Sequence, residues 1–288
     1  MTVDNHLPEH IPARLAQDIR LCFAFFTRLP VTWPEDVPFS RLGPAMWAFP
    51  LVGWVVGAIS TLVGILSYLL IRDSYTAVII MLATGLLLTG AMHEDGLADV
   101  ADGFGGGSDR AAKLTIMKDS RIGTYGVLAL MLAVLLKLHG LVLAMSLVEF
   151  SIIMTLMENQ NLYANEVDRL IPALGLLLGA APVSRALAVA GMLYLSPAKE
   201  DGMGAEAGRV TFRTLFAAIL IATLPLFLFI SPLFILGGLV AGGLGAALIM
   251  VIAHRQIGGY TGDVIGAIQI VAEILFLFTV VRLISLPI

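Results

Sequence analysis

The sequence is short of charge, of cysteine and of regular repetition, and each shortage closes a class. Charged residues make up 13% of the 288 positions, hydrophobic residues 58%, and mean hydropathy is +0.93. A soluble domain usually carries about twice that share of charge to cover its surface, so an ordinary soluble fold is excluded and a polytopic membrane protein is expected. A single cysteine, Cys22, rules out an internal disulfide and a thiolate metal cluster. The net charge of −4 supplies no basic field, so no nucleic-acid partner is expected. Internal repeats of about 20 to 50 residues are absent. Residues 1–12 carry acids where a secretory signal carries bases, so no cleavable signal is expected.

What the chain has instead is oil in long runs. Apolar stretches lie near residues 45–71, 76–92, 124–147, 172–195, 212–230, 233–252 and 263–284, each close to the roughly 20 residues a spanning helix needs. The expected fold is an all-α helical bundle of about seven transmembrane helices in one domain, 1–288, with 1–44 as an N-terminal segment. Over residues 11–29, Leu15, Ile19, Cys22, Phe23 and Phe26 share one helical side, and Arg14, Gln17, Asp18 and Arg28 fall largely elsewhere. This pattern predicts an amphipathic helix lying in the membrane interface. Pro50 and Gly53 predict a kink in the first span, and 147–171 reads as a re-entrant or interfacial piece. With seven spans, twelve of the 17 Lys and Arg fall on the N-terminal side, against Arg72, Arg169 and Arg282 on the other. That bias predicts a cytoplasmic N-terminus. Residues 93–123, 196–213 and 253–263 then face the cytoplasm together.

Residues 93–126 form a polar island, HEDGLADVADGFGGGSDRAAKLTIMKDSRIGTYG. Asp95, Asp99 and Asp102 stand at i, i+4 and i+7, so a helix presents all three on one face, with Glu94 turned away. Clustered carboxylates repel unless a cation neutralises them, and a hard divalent ion, Mg2+ or Mn2+, suits oxygen donors. The plain alternative is a solvated helix face, against which Gly96 and Gly103 weigh as poor helix formers. Gly105 and Gly106 then allow close backbone approach, and Lys113, Lys118 and Arg121 are placed to receive phosphate oxygens. Acids, glycines and bases together suggest metal-assisted chemistry on a phosphoanhydride.

Other polar residues are fewer. The 196–211 loop is either a connector or a substrate contact. Arg185, midway along a span, implies a polar cavity or a functional partner, whereas Lys137 reads equally well as a snorkelling side chain. Near the last span Thr261, Gly262 and Asp263 follow a glycine turn. Asp263 is an N-cap in one reading and a metal ligand beside a phosphate in the other. Glu273 lies deeper, where burial calls for a partner such as Arg185 or a substrate amide.

Three segments, HEDGLADVADGFGGG (93–107), IMKDSRIGTYG (116–126) and GGYTGDVIGA (258–267), resemble signature segments of the cobalamin synthase family, the adenosylcobinamide-GDP ribazoletransferases. The resemblance covers nearly the whole chain from about residue 14. It implies joining of adenosylcobinamide-GDP to α-ribazole or its 5′-phosphate, with release of GMP and a requirement for Mg2+. Under it, Asp95, Asp99, Asp102 and Asp263 are the metal set, and the ribazole 5′-hydroxyl attacks the phosphorus that bears the cobinamide arm. His93 or Asp102 takes the proton, and Lys118 and Arg121 answer the growing charge. Substrate contacts fall to Gly105, Gly106, Lys113 and Asp119, and to Arg185, Thr261, Gly262 and Glu273. A Mg2+-dependent phosphotransferase using CDP-linked donors and a secondary transporter are the competing readings. The small-residue run at 237–247 allows close helix packing, within one chain or in a homo-oligomer, and association with other cobalamin-assembly enzymes is compatible with the family.

Overall fold

The computed structural model describes residues 11–156 and 163–286, and among these every regular element is a helix. In order come α1 (Ile11–Phe26), α2 (Leu42–Ala45), α3 (Phe49–Ile71), α4 (Ser74–Thr89), α5 (Met92–Gly106) and α6 (Arg110–Ile116). Then follow α7 (Thr124–Leu156), α8 (Tyr163–Tyr194), α9 (Met203–Glu206), α10 (Phe212–Thr223), α11 (Pro232–Ile257) and α12 (Gly262–Ile284). Helix starts are set by side chains that accept free backbone N–H groups: Asp73 from Thr76, Asp109 from Ala112, Thr211 from Thr214 and Thr261 from Val264.

Five segments are long and apolar enough to cross a membrane: Phe39–Ile71, Thr124–Ser151, Arg169–Tyr194, Pro232–Ile257 and Gly262–Ile284. The expectation of about seven spans therefore falls to five, or six if α4 and α5 count as one bent span. Both shortfalls have local causes. At the end of α4, Gly90 (φ 66°) and Ala91 (φ 55°) are both left-handed, and α5 leaves at 86°. With Glu94, Asp95, Asp99 and Asp102 in fifteen residues, α5 is too charged for hydrocarbon and lies across the polar end of the bundle. The other, Phe212–Leu228, is apolar but short, because Pro225 opens a 3-10 turn after α10.

Two further expectations are corrected, and that of an N-terminal amphipathic helix is extended. Pro50 sits in the first turn of α3, where its missing N–H costs nothing, so it starts the helix rather than kinking it. Residues 147–171 are the ends of α7 and α8, not a separate element; 157–162 lie outside the described residues. α1 is a helix, but Leu21, Cys22 and Phe26 are buried against the bundle and only Leu15 of its apolar face is exposed. Asp18 is buried with them, 2.7 Å from Arg41 and accepting the Trp47 indole N–H at 2.8 Å. The N-terminal segment is thus part of the bundle wall.

α12 and α8 form the centre: 78% and 72% of their apolar windows are inside the bundle, against 28–33% for Phe39–Ile71, Thr124–Ser151 and Pro232–Ile257. The outer surface keeps large apolar side chains such as Leu70, Leu87 and Leu228 in the open, as a lipid-facing surface requires. The small-residue run of α11 serves this packing. Gly238 and Gly242 lie against Phe276, and Gly245 against Leu275, so α11 meets α12 within one chain.

Candidate functional site

Glycines draw the acidic face of α5 onto the start of α12. A Cβ on Gly96 would stand 2.8 Å from Asp263 Cα, and one on Gly266 would stand 3.1 Å from His93 Cα. Gly96 is therefore a packing requirement, as is Gly103, where a Cβ would stand 2.5 Å from Met117 Cγ. This contact carries Asp263 to the acids of α5, so that the charges of Asp263, Asp95 and Asp102 all bear on Asp99. Among the described residues, the carboxylates of Asp95 and Asp99 have no hydrogen bond or ion pair. Thr261, not Asp263, is the N-cap of α12. Asp263 stands in the first turn with one oxygen accepting from the Thr261 hydroxyl at 3.0 Å.

Asp102 departs from the expected set. Its oxygens accept the backbone N–H groups of Gly123 (2.6 Å) and Gly126 (2.8 Å), and it is buried. It lies at the far end of α5, where α7 begins, and acts as a brace for that turn. No three His, Cys, Asp or Glu among the described residues converge closely enough to enclose an ion.

Two clefts meet at Asp263. One, enclosing roughly 990 Å³ of space partly open to solvent, is lined by Phe25, Phe26, Phe39, Met46, Met92, Met192 and Met203, with His93, Asp95 and Asp263 as its charged or ionisable members. The other, roughly 860 Å³ and also open, has Lys118, Lys199 and Asp201 beside Gly202 and Thr261. Met203, Gly204, Tyr260, Gly262 and Asp263 belong to both. Burial and the neighbouring Lys118 hold Lys199 below the ordinary lysine range, a strain that an anion between them would relieve. A Cβ on Gly262 would meet nothing within 4 Å.

The walls are held by backbone. Gly43 N donates to Ala207 O at 2.6 Å, the Tyr260 hydroxyl to Gly204 O at 2.9 Å, and Ala198 N to Tyr260 O at 2.8 Å. The 196–211 loop is thereby a wall of both clefts and more than a connector. Arg110 braces it from α6, donating to the carbonyls of Ile257 and Ala198.

Beneath α5 lies a smaller buried chamber lined by His93, Glu94, Lys137, Arg185, Gln269 and Glu273. Lys137 Nζ is 3.0 Å from Glu273 and 3.8 Å from Glu94, so it is a paired charge rather than a snorkelling one. Gln269 donates to Glu273 (2.6 Å) and to Ser184 (2.8 Å). Of the two partners expected for Glu273, Arg185 or a substrate amide, Arg185 is not its ion-pair partner: Lys137 is, while Arg185 donates to Ala181 O at 3.0 Å and lies over the Phe49 ring. His93, shared by chamber and apolar cleft, is flanked by the rings of Phe26 and Phe49, and its Nε2 has no partner.

Several expected contacts are not brought to the clefts. Lys113 Nζ donates to Gln256 on α11, and Gly105 lies under the Tyr125 ring. Arg121 is 87% exposed, bound to Asp119 at 2.6 Å in the turn before α7. Gly106 is exposed, while Arg185 and Glu273 face the chamber. Sequence reasoning missed Lys199, Met203 and Tyr260; the glycines around them were the available signal. It also left Gln269 unread, although a lone amide deep in an apolar helix marks a buried network.

Residues 18–281 match the sequence profile of the family described as cobalamin-5-phosphate synthase. The chain is 38% identical over 274 residues to the adenosylcobinamide-GDP ribazoletransferase of Mesorhizobium japonicum, covering 91% of this chain and 92% of that one. It is also 38% identical over 260 residues to the protein of that name from Bradyrhizobium diazoefficiens, covering 90% and 91%. With the Shewanella amazonensis protein so named, identity is 38% over 274 residues, covering 88% and 90%. No solved structure matches. This chain belongs to the cobalamin-5-phosphate synthase family.

Proposed function

We propose that the protein joins adenosylcobinamide-GDP to α-ribazole or its 5′-phosphate, releasing GMP, on the cytoplasmic face of a bacterial inner membrane. The observation that carries this reading is the meeting of an apolar cleft and a lysine-lined cleft at one acidic junction, Asp95, Asp99 and Asp263. A transferase acting on a diphosphate donor and an apolar nucleoside acceptor needs such a junction. The transporter reading is weakened, because Glu273 is paired with Lys137 and Arg185 is held by the Ala181 carbonyl and the Phe49 ring.

The donor chemistry of Asp95, Asp99 and Asp263 suits Mg2+: hard oxygens whose like charges bear on one another. The want of a closed protein cage agrees, since Mg2+ is ordinarily held by one or two carboxylates with substrate phosphates and water. Bound there, Mg2+ or Mn2+ would neutralise diphosphate charge. Lys118 and Lys199 bind and orient the donor's diphosphate. The attacking oxygen is a ribose ring hydroxyl, not the 5′ one, because an acceptor that carries a 5′-phosphate has no 5′-hydroxyl to give. That oxygen forms a bond to the phosphorus bearing the cobinamide arm, the bridging P–O bond breaks, and GMP leaves in line. His93, which lines the cleft and whose buried Nε2 has no partner, receives the hydroxyl proton.

The test is GMP release and cobalamin formation by detergent-purified protein given both substrates, with Mg2+ or chelator, for wild type and Asp99→Asn. Metal-dependent product that collapses in the folded variant supports the reading. No product from folded wild type with Mg2+ overturns it, and CDP-linked donors are then the next substrates to assay.

A further inference from the structure

The apolar cleft has no lysine or arginine in its lining, and its acids, Asp95 and Asp263, sit where α5 meets the first turn of α12. Phe25 packs edge-on against Phe26 at 4.8 Å and tilted against Phe39 at 5.6 Å, and Trp33 stacks on Phe39 at 5.6 Å. Four methionines, Met46, Met92, Met192 and Met203, complete the walls. Aromatic rings and polarisable thioethers together favour a flat π-system. Among the rings and thioethers a phosphate would meet no lysine or arginine, and a guanine would leave its amino and carbonyl groups unpaired. The one polar hydroxyl deep in the wall, that of Tyr260, is already donated to Gly204 O.

Resting on the proposed reaction, we infer that this cleft binds the acceptor nucleoside through its apolar fused aromatic base, with the ribose at the Asp95 and Asp263 end. The donor's GDP then lies in the lysine-lined cleft across Gly262. This gives α1 and the turn after it a function: Phe25 and Phe39 are specificity-determining walls of the acceptor site. Glycosylated at one ring nitrogen, a benzimidazole retains a single lone pair, so burial in this lining leaves little unsatisfied.

The experiment is steady-state kinetics of detergent-purified protein with each substrate varied in turn. Free benzimidazole should inhibit wild type competitively against ribazole and not against adenosylcobinamide-GDP. Phe25→Ala and Met192→Ala, which line this cleft and not the lysine-lined one, should each raise the KM for ribazole about tenfold while the KM for the donor stays within about twofold. Lys199→Gln should give the opposite split. The wild-type competition needs no variant to fold. Benzimidazole that competes with the donor, fails to inhibit, or variants that raise the donor KM instead, would overturn the assignment while turnover itself leaves the reaction standing. Absence of any wild-type turnover overturns both.

Discussion

Replacing Lys137 tests whether the buried chamber is a charge-balanced clamp. Lys137 and Arg185 face Glu94 and Glu273, a neutral set inside the bundle. Lys137→Met keeps most of the side-chain length and removes one cation, leaving two carboxylates against one guanidinium. At an effective dielectric near 20, the 3.0 Å and 3.8 Å contacts correspond to roughly 5 and 4 kcal/mol of attraction. Most of that is offset by desolvation of the ammonium, and removing one partner of a buried pair typically costs about 3–5 kcal/mol. A ceiling follows independently, since protonating an ordinary glutamate at pH 7 costs roughly 4 kcal/mol, and the chamber need lose no more than that. The expected loss is therefore about 3–4 kcal/mol. Lys137→Met with Glu273→Gln restores neutrality and should lose only about 1–2 kcal/mol, a strong coupling between neighbours. Unfolding by SDS titration in mixed micelles reads both. A single variant within about 1 kcal/mol of wild type, or a double variant whose loss is the sum of the singles, would refute the clamp.

Other outcomes follow from the same geometry. Asp102→Asn sets an amide NH2 against the N–H of Gly123 or Gly126 and should destabilise by about 1–3 kcal/mol in that titration, whereas Asp99→Asn should cost activity but little stability. Gly96→Ala forces α5 away from Asp263 and should cost about 1–3 kcal/mol, with turnover falling more than the lost fraction of folded protein explains. Gly262→Ala meets only open space, so stability should hold within about 0.5 kcal/mol while the KM for the donor rises. The exposed Arg121 holds Asp119 below the ordinary carboxylate range by hydrogen bonds. The pair is therefore complete at neutral pH and lost as pH falls through the lowered Asp119 value. Arg121→Ala should leave turnover at pH 7 within about twofold, because an exposed pair contributes little.

The helices and the acidic face were legible because both depend on local spacing: runs of about 20 apolar residues, and carboxylates at i, i+4 and i+7. What stayed hidden depends on partners far along the chain. Gly96 looks like a helix fault until Asp263 is found against it. Asp102 shares the face of Asp95 and Asp99, but as the last of the three it meets the backbone where α7 starts. The break before α5 needs a left-handed alanine, Ala91, which no residue preference announces. Lys137 could not be read from depth alone, since its two acidic partners lie on α5 and α12.

These distant contacts solve a problem that the acidic face creates. Asp95, Asp99 and Asp263 repel one another, so without a ligand the site tends to push α5 away from α12. The opposing forces come from the other faces of α5 and lie outside the junction: Glu94 to Lys137 below, Gly96 against the first turn of α12, and Asp102 to the start of α7. A helix held at three points tolerates like charges that an isolated helix would separate. Holding the carboxylates close before any cation or diphosphate arrives lets the repulsion favour cation binding instead of opening the site.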